Sequence, residues 1–154
     1  MNAFLPGFSE AELGQAAGTP ILGSHLLGEW YGCPRTDVLR RADKLRTLCL
    51  QRAREARMEI VGEVFHQFVP EGVTGTLLLA ESHLAIHTWP ESGFVTIDVY
   101  VCNQRNDNRA KALRLFRSIE ELLAPTWTHS AHITRGLSDD ETPKARDVQL
   151  RAAL

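Results

Sequence analysis

Between residues 81 and 102 the chain gathers a hydroxyl, imidazoles, carboxylates and a thiol: Glu81-Ser82-His83, His87-Thr88-Trp89-Pro90-Glu91, Asp98 and Cys102. A serine hydroxyl that attacks the preceding peptide carbonyl turns the amide into an ester. β-Elimination and hydrolysis then leave a ketone at a new N-terminus. No ordinary side chain carries a reactive carbonyl, so such a ketone would add an electrophile able to capture an amine and draw electrons from it. In this chain such an attacker would be Ser82, acting on the carbonyl of Glu81. A neutral serine is a weak nucleophile, so the step needs a positioned base and donors that polarise the carbonyl; His87 is the candidate base.

Taken one at a time, these residues have plainer readings. A strand cysteine is most often a small buried hydrophobe. His83 and His87 have the spacing of helical metal ligands, but on a strand their backbones lie roughly 13 Å apart, too far for one zinc ion, and no metal is expected. His129 and His132, three apart on an expected strand, point to opposite faces as ordinary surface or interface residues. Cys33, Cys49 and Cys102 are too scattered for a disulfide or zinc framework and read as free thiols. Ser82 and His87 are an odd number of residues apart and face opposite ways on an unbroken strand, so Ser82 is expected in a bend.

The elements that must position this cluster are legible from periodicity. Residues 1–23, rich in Gly and Pro, read as an N-terminal arm with at most a short helical turn around Ser9 to Ala17. Ser24 to Tyr31 reads as a strand. Thr36-Asp37 opens one helix with apolar positions Val38, Leu39, Ala42, Leu45, Cys49 and Ala53, and its basic opposite face reads as a solvated surface. Four extended stretches follow: about Glu59 to Phe68, Val73 to Ala80, His83 to Trp89 and Phe94 to Cys102. A second helix runs from about Asn108 to Leu123 and stops before Pro125, and Thr126 to Thr134 is a last strand. After residue 137 a polar tail, 138–154, is expected to be loosely held.

This order predicts an α/β fold: a two-layer sandwich, mostly antiparallel, with two main helices on one face of the sheet. Val95, Ile97, Val99 and Val101 belong beneath the helices. Thr96, Asp98, Tyr100 and Cys102 face the other way, as expected of a surface that lines a site or meets another subunit. A chain of 154 residues, 44% of them apolar, suffices for one domain. The net charge of −2 gives no general field for nucleic acid or an anionic membrane. Apolar runs such as Leu77-Leu78-Leu79-Ala80 are far too short to span a bilayer, and the N-terminus lacks signal-peptide character. The expectation is a cytoplasmic protein with a small-molecule partner, and no nucleic-acid or membrane partner.

The motifs carry more together than singly: Phe65-His66-Gln67-Phe68, Pro70-Glu71-Gly72-Val73-Thr74-Gly75, Glu81-Ser82-His83, His87-Thr88-Trp89-Pro90-Glu91, Asp98 and Cys102, in that order. With His25-Leu26-Leu27 and Glu29-Trp30-Tyr31-Gly32-Cys33 ahead of them, residues 24–137 closely resemble the prokaryotic pyruvoyl-dependent S-adenosylmethionine decarboxylase proenzymes. The resemblance implies self-cleavage between Glu81 and Ser82 into a β chain, 1–81, and an α chain, 82–154, that begins with a pyruvoyl group made from Ser82. It implies that His87 and Thr74 assist processing and that Cys102 returns a proton after carbon dioxide leaves. A thiol suits that task, its ordinary pKa of about 8.5 letting it donate and recover a proton near neutrality. It also implies a homodimer of processed units, and a place in spermidine synthesis as the source of the aminopropyl donor.

S-adenosylmethionine presents a flat adenine, a ribose diol and a sulfonium cation. By the resemblance, Phe68 stacks on adenine and Glu91 binds the ribose hydroxyls. Gly28, Ser92, Thr96 and Asn103 depart from the family's common pattern near the expected pocket. Pyruvoyl-dependent decarboxylases of this scaffold also include enzymes for ornithine or arginine, which stand as the alternative substrates. A processing-dead homologue that binds a nucleoside or regulates a partner is the non-enzyme alternative.

Overall fold

The computed structural model describes residues 23–34, 36–103 and 106–136. The expected helical turn in the arm and the polar tail lie outside the described residues. Along the chain run β1 (Gly23–Tyr31), α1 (Asp37–Arg40), α2 (Ala42–Glu55), β2 (Ile60–Gln67), β3 (Val73–Leu79), β4 (Ser82–Trp89), β5 (Phe94–Cys102), α3 (Arg109–Leu123) and β6 (Trp127–Arg135). The strands form one six-stranded sheet in the order β2-β3-β4-β5-β1-β6. Every neighbouring pair is antiparallel, so the expected two-layer α/β sandwich is what forms.

Alternation decides the two faces. Leu26 and Trp30 of β1, Val73 and Leu77 of β3, Leu84 and Ile86 of β4 and the four valine and isoleucine positions of β5 are buried. They pack against Leu45, Cys49 and Ala53 of α2 and Leu115, Phe116 and Ile119 of α3. The Trp30 and Phe116 rings meet edge to face at 5.2 Å, a geometry that adds to plain area burial. The other face carries no helix among the described residues, and this is where the reactive side chains project.

The first helix differs from its expected single run. Arg41 adopts an extended conformation, φ −125° and ψ 126°, and breaks it into α1 and α2. The Gln67 side chain fills the gap: its oxygen accepts from the Ala42 amide at 2.7 Å and its nitrogen donates to the Arg40 carbonyl at 2.8 Å. Helical periodicity continues across the break, which is why the apolar pattern alone hides it. Gly28, expected near the pocket, does line a cavity on the open face, and its Cα also faces the core. A Cβ there would meet Ile97 Cγ2 and Phe116 Cζ, each at 2.8 Å, so this glycine makes room in the core beneath α3.

Candidate active site

The tight connection between β3 and β4 places Ser82 at the first position of β4 with φ +133°, a conformation that non-glycine residues adopt only under constraint. The expected bend is therefore present. Two contacts impose it. The Cys102 amide donates to the Glu81 carbonyl at 2.9 Å, and the Glu81 carboxylate accepts from Asn108 Nδ2 at 2.6 Å. The Ser82 hydroxyl lies 3.3 Å from His83 Nδ1. Cys102, half-buried and free, ends β5 next to this turn, since Ser82 pairs with Val101.

His87 lies on the open face, with Thr74 Oγ1 at 2.6 Å from its Nδ1. The pair exists because β3 and β4 set Thr74 directly across from His87. This contact orients the ring and leaves Nε2 as the outward nitrogen. His87 lies five steps along β4 from Ser82, roughly 16 Å at the ordinary rise of a strand. Within one chain the two do not meet.

Between these ends His25, His83 and Tyr100 pack together, with ring centroids 5.5 Å apart for His25–Tyr100 and 5.9 Å for His83–Tyr100. His25 Nε2 sits 3.3 Å from Asp98 Oδ1. Burial holds the His25 pKa below the ordinary value, against the pull of the Asp98 carboxylate, and Arg135 and His83 add to the lowering. Beside this cluster a cavity of about 490 Å³ is lined by Leu27, Glu29, His87, Thr96, Asp98 and His129 among others. Of the positions that depart from the family pattern, Gly28 and Thr96 both line this cavity.

Phe68 and Glu91 occupy the turns at the far end of the sheet from Ser82, Phe68 edge-on to His66 at 4.9 Å and about half exposed. Gly72 of one turn approaches Thr88 and Pro90 of the other, so the two turns are neighbours. From there an aromatic ribbon crosses the open face: Trp89 stacks on Phe94 at 5.1 Å, Phe94 meets Tyr31 at 4.7 Å, and Tyr31 meets Trp127 at 4.9 Å. His129 lies 3.4 Å from Glu29 on this face, whereas Arg109 of α3 is among the charges acting on His132, so the two histidines do point to opposite sides. Cys33 and Cys49 are buried, their thiols pushed up to about 11 and about 12, which keeps them protonated and inert. Among the described residues no cluster of metal-ligating side chains forms, and no helix is long and apolar enough to cross a membrane.

The sequence does not single out His25, Glu29 or Asn108, and it places Tyr100 only on the site-facing side of β5. His25 and Glu29 sit in a quoted motif and share the period-2 face of the site, a signal that could have found them. Asn108 is reached only through a loop closure, which no periodicity records.

Together these features define a class: an antiparallel α/β sandwich whose uncovered face carries a strained serine turn, a thiol and an oriented histidine. Residues 24–136 match the S-adenosylmethionine decarboxylase family model. The S-adenosylmethionine decarboxylase proenzyme of Moorella thermoacetica is 38% identical over 129 residues, covering 84% of this chain and 98% of the relative. That of Pyrococcus abyssi is 37% identical over 120 residues, covering 78% and 83%. The crystal structure of the Aquifex aeolicus adenosylmethionine decarboxylase superposes with a TM-score of 0.71 at 35% identity, covering 80% of this chain and 98% of that one. The chain belongs to the S-adenosylmethionine decarboxylase family, whose members are pyruvoyl-dependent carboxy-lyases.

Proposed function

We propose that this protein is a cytoplasmic, self-processing S-adenosylmethionine decarboxylase that makes the aminopropyl donor for spermidine synthesis, with Ser82 as the source of its pyruvoyl group. The observation that carries the reading is the Glu81–Ser82 turn: a serine held at φ +133° whose preceding carbonyl already accepts a hydrogen bond from the Cys102 amide. That amide is aimed where negative charge develops when the hydroxyl adds to the carbonyl. Family membership and the names of the relatives favour S-adenosylmethionine over ornithine or arginine.

In cleavage, Ser82 Oγ bonds to the Glu81 carbonyl carbon, the amide C–N bond breaks, and the hydroxyl proton ends on the freed amine. Loss of the Ser82 α-proton expels the Glu81 carboxylate. Water then replaces the nitrogen, which leaves as ammonia. His87, its ring oriented by Thr74, is the base for these transfers. The resulting ketone supplies the electron sink for loss of carbon dioxide. Beside it Cys102 holds the proton to be returned. Phe68 and Glu91, at the far end of the sheet, would reach the substrate from a second copy, Phe68 with a face for adenine and Glu91 with a carboxylate for the ribose diol, while Glu29 and Asp98 line the cavity with charge that suits a sulfonium.

The same distances support a homodimer. His87 stands roughly 16 Å along β4 from Ser82, too far for proton transfer, whereas a second copy laid on the open face can bring its His87 to the first copy's Ser82. The aromatic ribbon, with Tyr31, Trp89 and Trp127 each more than a third exposed, suits such a contact. Co-expression of differently tagged Ser82→Ala and His87→Ala chains tests this. Each variant alone should remain whole, and in mixed dimers the His87→Ala chain should be cut between residues 81 and 82, as read by mass spectrometry. Persistence of both chains uncut would reject the shared site. A wild-type chain that stays whole yet decarboxylates would reject the whole reading.

A further inference from the structure

We infer that Asn108 is a positioning residue for chain cleavage, acting through the Glu81 carboxylate and the Cys102 backbone to hold the scissile carbonyl against its hydrogen-bond donor. The inference rests on the proposed cleavage at Glu81–Ser82.

Asn108 stands at the N-cap of α3, a place where asparagine normally accepts a bond from the helix's own free amides. Here it makes no side-chain cap bond. Its amide, in a residue only 5% exposed, turns instead toward the β3–β4 turn. Nδ2 donates to Glu81 Oε2 at 2.6 Å and to the Cys102 carbonyl at 3.0 Å, with the Asn106 carbonyl at 3.3 Å, and Oδ1 accepts from Lys111 Nζ at 3.1 Å. Three acceptors at one end of the amide and an ammonium at the other fix which end is nitrogen.

The consequence lies in what these contacts bracket. Cys102 uses its N–H on the Glu81 carbonyl and its C=O on Asn108, so both of its backbone groups are held. Glu81 is held at its carbonyl by Cys102 and at its carboxylate by Asn108. Together these contacts close a loop on the carbonyl side of the bond that breaks. Asn103 locks the loop from behind: its Oδ1 accepts from the Asn108 backbone N–H at 2.9 Å, and its Nδ2 donates to the Ser24 hydroxyl at 3.4 Å. A glycine at position 103 could supply neither bond. Asn103 and Asn108 thus act as a pair, and the departure at position 103 has a physical role.

The test separates positioning from simple helix capping. Asn108→Asp keeps a residue that caps at least as well but sets a carboxylate against Glu81. Positioning predicts that pulse-labelled precursor disappears about ten- to a hundredfold more slowly than wild type, the range for losing a charge-assisted hydrogen bond. In a Glu81→Gln background the glutamine side-chain amide can donate to the introduced carboxylate, and the same Asn108→Asp change should slow cleavage at least tenfold less than it does beside Glu81. Equal slowing in both backgrounds, or none in either, overturns the inference while leaving wild-type cleavage intact. A wild-type precursor that never breaks at Glu81–Ser82 overturns the underlying reading, and this inference with it.

Discussion

The two ends of β4 hold their reactive groups by different means. At the Ser82 end the constraint is in the backbone: a positive φ, a carbonyl pinned by an amide, and a loop closed by Asn108. At the His87 end the strand is regular, and a side-chain pair, Thr74 and His87, does the orienting. A backbone device suits a step that happens once, because breaking the Glu81–Ser82 bond also releases the turn that strained it. A side-chain pair, by contrast, is left unchanged when the bond breaks.

That contrast can be broken by separating cleavage from decarboxylation. His87→Ala removes the base, and cleavage should slow by about 10²- to 10⁴-fold, the usual worth of a positioned acid or base. Cys102→Ala keeps the backbone donor on the Glu81 carbonyl, so cleavage should persist. Decarboxylation by the cleaved product should fall by a comparable factor, about 10²- to 10⁴-fold, for want of the thiol proton. Time courses of the intact chain, with carbon dioxide release per cleaved chain, read both. If Cys102→Ala arrests cleavage as His87→Ala does, the thiol and not the amide is the processing group, and the division between the two ends dissolves.

A smaller effect sharpens the His87 end. Thr88, in the same motif as His87, points away from the site and is 4% exposed. Its hydroxyl donates to the Leu39 carbonyl at 2.7 Å and accepts from the Val73 amide at 2.9 Å, tying α1 to β3 and β4. Thr88→Val leaves both backbone groups buried without partners, at a cost of about 1–3 kcal/mol, measurable as a lower urea midpoint. A midpoint equal to wild type would show that this tie adds nothing to stability.

Thr88 also shows what a sequence can and cannot disclose. Its motif marks a site, but only the strand's period assigns His87 to the open face and Thr88 to the core. The sheet, its two faces and the bend at Ser82 were legible because period-2 alternation and the Ser82–His87 parity are local facts. The break at Arg41 was not, because it depends on Gln67, which lies far along the chain and bridges the gap with its amide. Nor was the distance between Ser82 and His87 read as an obstacle: the motifs name both residues as partners, while the extended strand that joins them holds them apart.

Acid sensitivity supplies the finest discrimination, and it belongs to the interior between the ends. His25 beside His83 and Tyr100, and His132 beneath α3, both have pKa values lowered from 6.5, each chiefly by burial. Asp98 opposes that lowering at His25 while Arg135 and His83 add to it, and Arg109 adds to it at His132. A histidine whose folded pKa lies below its unfolded one binds its proton more readily when unfolded. Stability is therefore complete above about pH 6.5 and is lost as the pH falls from there toward the folded values. Asp43, Glu55 and Asp107, lowered by hydrogen bonds and ion pairing with neighbouring groups, withdraw their contribution only further down, below their ordinary carboxylate values. Glu120, raised chiefly by burial, has the opposite sign and gains stability as acid protonates it. Between about pH 5 and 6.5 the histidines withdraw stability while the raised Glu120 works in the opposite direction, so the change caused by His25→Gln, not the raw slope, reads the histidine share. Urea midpoints of cleaved protein should drop across this interval, and His25→Gln should flatten the drop. An unchanged slope in His25→Gln would place the acid sensitivity at His132 and outside the open face.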